Sequence, residues 1–110
     1  KEKLNRIVQR TRDGGGEIVK LMGTSAYYAP ASAAVVMARA YLDDEKLLVP
    51  AAAYLEGEYG YRDMYLGVPV IIGARGVERV VEVSRTSEER AMLDKSAAAV
   101  KELIEVAKKM

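Results

Sequence analysis

From Leu4 onward the apolar positions fall at helical spacing. Leu4, Ile7, Val8, Thr11, Gly15, Ile18, Val19 and Met22 form one unbroken stripe. Steps of three and four residues place side chains on one face of a helix, so the pattern predicts an amphipathic helix over residues 3–22. Gly14-Gly15-Gly16 lies inside it. Each glycine in a helix interior costs roughly 1 kcal/mol relative to alanine, which sets the triplet against the pattern. Two readings are open: a break between two shorter helices, or a backbone that approaches something closely, bends or opens. A phosphate-cradling loop is disfavoured, because such a loop follows a buried strand and the residues before this one are helical.

Gly23-Thr24-Ser25 reads as a turn, and a second helix is predicted over residues 27–42. Ala31, Ala34, Val35, Ala38, Tyr41 and Leu42 share one side of it. Its small side chains favour close packing, so this helix is expected to be buried against a neighbour. Pro30 fits its first turn, where no intrahelical donor is lost. Three β segments follow, at 46–55, 64–73 and 77–83. Short links between them favour antiparallel pairing. Pro50 and Pro69 cannot donate to a ladder and are expected at edges or bulges. Thr86-Ser87-Glu88-Glu89 is a capping box that opens a last helix, striped by Leu93, Ala97, Val100, Ile104 and Ala107. The predicted order is helix, helix, three strands, helix. That is an α+β fold, an antiparallel sheet packed with helices.

Composition narrows the chemistry. In 110 residues there is no Cys and no His, and the aromatic residues are seven Tyr. Thiol nucleophiles, Cys-based zinc sites, the Ser-His-Asp triad and imidazole ligands are thereby excluded from this chain. Lys plus Arg number 17 and Asp plus Glu 16, a net charge of +1, so nucleic acid and anionic membranes are not expected partners. The longest uncharged run, residues 21–38, carries polar residues and a proline and is not expected to span a membrane. No targeting signal is visible, and a cytoplasmic location is expected. The chain begins at Lys1, which suggests that it was processed or excised from something longer.

Three polar clusters are candidates for chemistry. Asp43-Asp44-Glu45 reads as a solvated loop, because calcium or magnesium would need more oxygen ligands at turn spacing. Glu56 and Glu58 flank Gly57, either as exposed turn acids or as a carboxylate pair on one strand face. Arg75 and Arg79 flank a tight link, as soluble surface or as an anion clamp. No catalytic constellation and no metal site emerge.

The segment Val8 to Val19 (VQRTRDGGGEIV) resembles the malate dehydrogenase family, in its lactate-dehydrogenase-like bacterial branch. Further blocks follow in the same order: Ser25 to Ala31 (SAYYAPA), Ala53 to Gly60 (AYLEGEYG), Gly67 to Gly73 (GVPVIIG), then Gly76-Val77-Glu78 with the Ser87–Val106 helix. The resemblance covers essentially the whole chain and implies the C-terminal, substrate and oligomerisation portion of the catalytic domain, residues 1–110. It implies that the nucleotide-binding domain, the catalytic His, its partner Asp and the substrate-clamping Arg residues lie upstream. No G-x-G-x-x-G occurs here.

By resemblance, Ser25 and Ala26 face the bound hydroxy acid and Pro30 packs near the nicotinamide of NAD. The lactate branch carries a larger Thr at the place of Ala26, so a small residue implies a dicarboxylate, malate or oxaloacetate. The family pattern Lys-Thr-Gly-Ser-Ala meets Met22-Gly23-Thr24-Ser25-Ala26 here, and a slipped register would put Thr24 or Ser25 in that place. The expected activity is hydride transfer between malate and NAD by the complete enzyme. The isolated chain is expected to be inactive, to need its missing N-terminal portion and to form a homo-oligomer. The alternative is a non-catalytic scaffold or interaction domain of the same fold.

Overall fold

The computed structural model describes residues 2–110. Helix α1 spans Glu2–Met22, α2 Tyr28–Leu42 and α3 Ser87–Ala107. Strands β1 (Leu47–Glu56), β2 (Arg62–Gly73) and β3 (Gly76–Val80) form one antiparallel sheet in the order β1-β2-β3. The fold is therefore α+β, as the pattern predicts. The chain divides into two compact units, one ending at Met37 and the other spanning Ala38–Met110.

The second unit holds the core. Odd positions of β1 and even positions of β2 turn to one face, the period of two that a half-buried strand requires. Leu55, Met64 and Val70 are the largest side chains sealed there. Each contributes roughly 1.5–3 kcal/mol by leaving water. Leu93, Ala97, Val100 and Ile104 of α3 pack onto this face. The capping box forms as predicted: Glu89 N–H donates to the Thr86 hydroxyl at 3.2 Å and Thr86 N–H to the Glu89 carboxylate at 2.8 Å. The Thr86 N–H and then the Thr86 hydroxyl, both donating to the Glu89 carboxylate, hold it below its ordinary range. The opposite sheet face is also apolar, with Leu48 across from Ile71 and Tyr54 across from Tyr65. The two tyrosine rings lie 5.3 Å apart, centre to centre.

The helix expected over residues 3–22 forms: of the readings open at the glycine triplet, the break does not occur, and α1 is continuous through it. Three expectations need correction. The alanine-rich α2 is not buried within this chain, where only Ala40 is sealed from solvent. Pro69 sits in the central strand rather than at an edge, directly across from Pro50 on β1. In an antiparallel ladder the groups of a non-hydrogen-bonded pair point away from each other, so neither proline removes a β1–β2 bond. Pro69 faces β3 instead, and its carbonyl accepts from Val81 N–H at 2.8 Å.

Finally, β3 ends at Val80, not Val83. Pro69 has no N–H for the Val81 carbonyl, and the Tyr59 hydroxyl donates there instead at 2.6 Å. The same hydroxyl accepts from Val83 N–H at 3.1 Å. Strand pairing stops where this side chain enters. Tyr59 has left-handed backbone (φ 56), between Gly57 and Gly60 at φ 145 and 82. Its N–H donates to Glu82, and the Arg85 guanidinium lies 4.4 Å over its ring.

Candidate functional site

The first unit carries the residues that the sequence singles out. α1 presents its stripe, the chain turns through Gly23 at φ 71, and α2 opens at Tyr28 with Pro30 in its first turn. Thr11, Gly14, Gly15, Ser25, Ala26 and Pro30 line one groove of about 670 Å³. Ile18 and Val19 add an apolar wall. Ser25 and Pro30 are exposed and Ala26 is half-buried, so all three are reachable from solvent. Thr24 does not line the groove. Local packing explains the shape: glycine and alanine side chains fill little of the space between the helices, and the turn at Gly23 brings Ser25 back to α1.

The electrostatics of the groove are plain. None of its lining side chains ionises, so it holds no general acid, no general base and no cation for a phosphate. Its polar groups are the hydroxyls of Ser25 and Thr11, and the latter donates to the Ile7 carbonyl at 2.9 Å. The groove can accept an uncharged ring or a short carbon chain and offer hydroxyl contacts. It cannot move a proton by itself.

The other polar clusters are committed to structure. Glu58 accepts from Glu56 N–H at 2.7 Å, and backbone N–H groups hold its carboxyl below the ordinary range, so the two acids are not a catalytic pair. Arg39 pairs with Asp43 and Glu45 at 3.4 and 3.1 Å. Asp44 accepts from Lys46 Nζ at 2.6 Å and from Ala74 N–H at 2.7 Å. Lys46 also reaches Glu78 at 2.7 Å, and Arg75 pairs with Glu78 at 3.6 Å. Among the described residues no group of three or more acidic residues could hold a metal ion. None of their helices is long and apolar enough to cross a membrane.

Thr11, Ile18 and Val19 were not singled out as site residues from the sequence. The usable signal was their helical spacing with Gly14 and Gly15, which puts all five on the α1 face that meets the turn.

The family profile of the lactate/malate dehydrogenase α/β C-terminal domain matches residues 1–110. The chain belongs to that family. It is 61% identical over 108 residues to malate dehydrogenase of Sorangium cellulosum, covering 98% of this chain and 34% of that protein. Against malate dehydrogenase of Oceanobacillus iheyensis the identity is 58% over 106 residues, with 96% and 34% covered. Among solved structures, malate dehydrogenase from Salinibacter ruber superposes with a TM-score of 0.95 at 48% identity, over 99% of this chain and 36% of that one. Lactate dehydrogenase from Eimeria maxima with NADH and oxamate gives 0.93 at 41%, over 98% and 34%. The chain thus spans about a third of the length of these relatives.

Proposed function

We propose that residues 1–110 supply the substrate side of an NAD-dependent malate dehydrogenase, one that interconverts malate and oxaloacetate. The observation that carries this reading is the gathering of Ser25, Ala26 and Pro30 on one uncharged groove, in a chain 61% identical to a malate dehydrogenase. Ala26 keeps its part of the groove open, which suits a dicarboxylate better than a bulkier residue would. The Ser25 hydroxyl is exposed at the groove and available to a substrate oxygen.

The groove fits part of NAD. An apolar, uncharged wall at Pro30 suits the face of a nicotinamide ring, whereas nothing in the groove would neutralise a pyrophosphate. When bound, the nicotinamide accepts or delivers the hydride. This chain's part is to bind and orient the substrate and to exclude water. With no His in the sequence, the usual proton carrier must stand on the remaining two thirds of the enzyme. That portion is the chain's first partner in this reading, and further copies of the chain are expected beside it.

The test is oxaloacetate-dependent NADH oxidation by the 110-residue chain alone and by the chain combined with the N-terminal two thirds. Turnover is expected only from the combination. Turnover by the chain alone, or a combination that ignores oxaloacetate, would overturn the reading. No turnover in either case, with a cooperative melt of the chain alone, would favour the scaffold.

A further inference from the structure

Residues 81–86 carry no regular structure between β3 and the start of α3. One residue nevertheless holds this segment at four places. The Tyr59 hydroxyl donates to the Val81 carbonyl at 2.6 Å and accepts from Val83 N–H at 3.1 Å. Tyr59 N–H donates to Glu82, and the Arg85 guanidinium lies 4.4 Å over its ring. Two residues on, the Tyr61 hydroxyl donates to Asp94 of α3. Both tyrosines come from one turn between β1 and β2. Tyr59 adopts φ 56 there, a backbone region that a bulky residue keeps only where its surroundings impose it. The elements on either side are unequal. β1 and β2 pair from Leu47 to Glu56 and carry the sealed Leu55, Met64 and Val70. α3 seals only Ala97. Every one of these contacts is made within the unit Ala38–Met110.

We infer that the turn 58–61 is a clasp, which holds residues 81–107 as a limb that opens as one unit, apart from the β1–β2 ladder. Opening breaks the Tyr59 and Tyr61 bonds together and hinges at Val80, where β3 ends. Openings of this kind are excursions of the native state and leave the melt of the whole cooperative. The clasp is independent of which substrate the enzyme prefers.

The experiment is hydrogen exchange, read by mass spectrometry, in the full-length dehydrogenase that contains this domain. The parent is compared with Tyr59→Phe, Tyr61→Phe and Tyr54→Phe, with rates corrected for intrinsic exchange. In the parent, the amides of α3 are expected to be protected about ten-fold less than those of the β1–β2 ladder, and by a common factor. Tyr59→Phe should speed exchange in the limb about ten-fold, because it strips partners from half-buried backbone groups, and Tyr61→Phe about three-fold, because its bond is exposed. Tyr54→Phe removes a bond of the same kind on the sheet, to Asp63 at 3.1 Å, and should leave the limb at its parental rate. Equal protection of limb and ladder in the parent would overturn the clasp, since the domain would then open only as a whole. So would parental limb exchange in both Tyr59→Phe and Tyr61→Phe, which would assign the hold on α3 to its apolar packing or to the remaining two thirds of the enzyme. A limb loosened as much by Tyr54→Phe would overturn it too, as a general softening of the fold.

Discussion

At the scale of single residues, Tyr59 links two facts that the sequence presents separately. Proline in a central strand deprives one carbonyl of its donor, and here the phenol supplies that donor to Val81 and also accepts from Val83 N–H. Tyr59→Phe keeps the buried ring and removes both bonds. Leaving two backbone groups partly unsatisfied costs about 1–3 kcal/mol. The expected result is a lower urea midpoint with an unchanged m-value; a midpoint within error of the parent would show that water replaces the hydroxyl. The sequence shows the proline and points to an edge or a bulge, whereas Pro69 sits in the central strand before the register shift at Ile71/Ile72. The sequence does not show the part of Tyr59, because the compensation joins positions 59, 69 and 81 through the fold rather than through spacing. Ser25, Ala26 and Pro30 were legible only through a family pattern, since small side chains carry no chemical signature of their own.

At the scale of elements, legibility followed local physics. The α3 cap is written in four consecutive residues and forms as predicted. The strand pairing follows from period-two alternation and short links. The glycine triplet left a break open in the sequence, but helix propensity is a weak local term, and the stripe on both sides of it carries α1 through. The end of β3 was misplaced because Val81 and Val83 continue the alternation while Tyr59 takes their hydrogen bonds.

One long-range tie between elements makes a pH prediction. Lys46 joins Asp44, just after α2, to Glu78 on β3, whose side chain is only 9% exposed. The Lys46 hydrogen bonds hold the Asp44 and Glu78 carboxyls below their ordinary values, and those acids hold Lys46 above its own. A depressed carboxyl stabilises the fold above its unfolded pKa, near 4, and that contribution fades as pH falls through the folded value. A raised lysine stabilises below its unfolded pKa, near 10.4, and its contribution fades as pH rises through the folded value. The urea midpoint should therefore be flat through neutral pH and fall at both extremes. Lys46→Met should shallow both limbs, leaving the acid dependence contributed by Glu58 and Glu89. A parental pH profile in Lys46→Met would show that the tie adds nothing.

At the scale of the whole molecule, the chain leaves apolar surface uncovered on several elements. Leu4, Ile7, Val8, Ile18, Val19 and Met22 of α1 are all at least 40% exposed. Tyr28, Val35 and Leu42 of α2 are 66–77% exposed, and Leu48, Tyr54 and Tyr65 lie open on the outer sheet face. Scattered apolar residues are ordinary on a monomer, but a whole helix stripe and a sheet face are not. The 110 residues span about a third of the length of the relatives they match, and a net charge of +1 gives little repulsion between copies. The 110-residue chain by itself is therefore expected to self-associate or to bind ANS, as sedimentation velocity and dye fluorescence would show. The Tyr59 and α3 core should still melt cooperatively, because Leu55, Met64 and Val70 are sealed within the second unit. Adding the N-terminal two thirds should abolish the dye signal in step with the appearance of NADH oxidation. A dye-free monomer would mean that these faces are stable in water, and the need for a partner would then rest on chemistry alone.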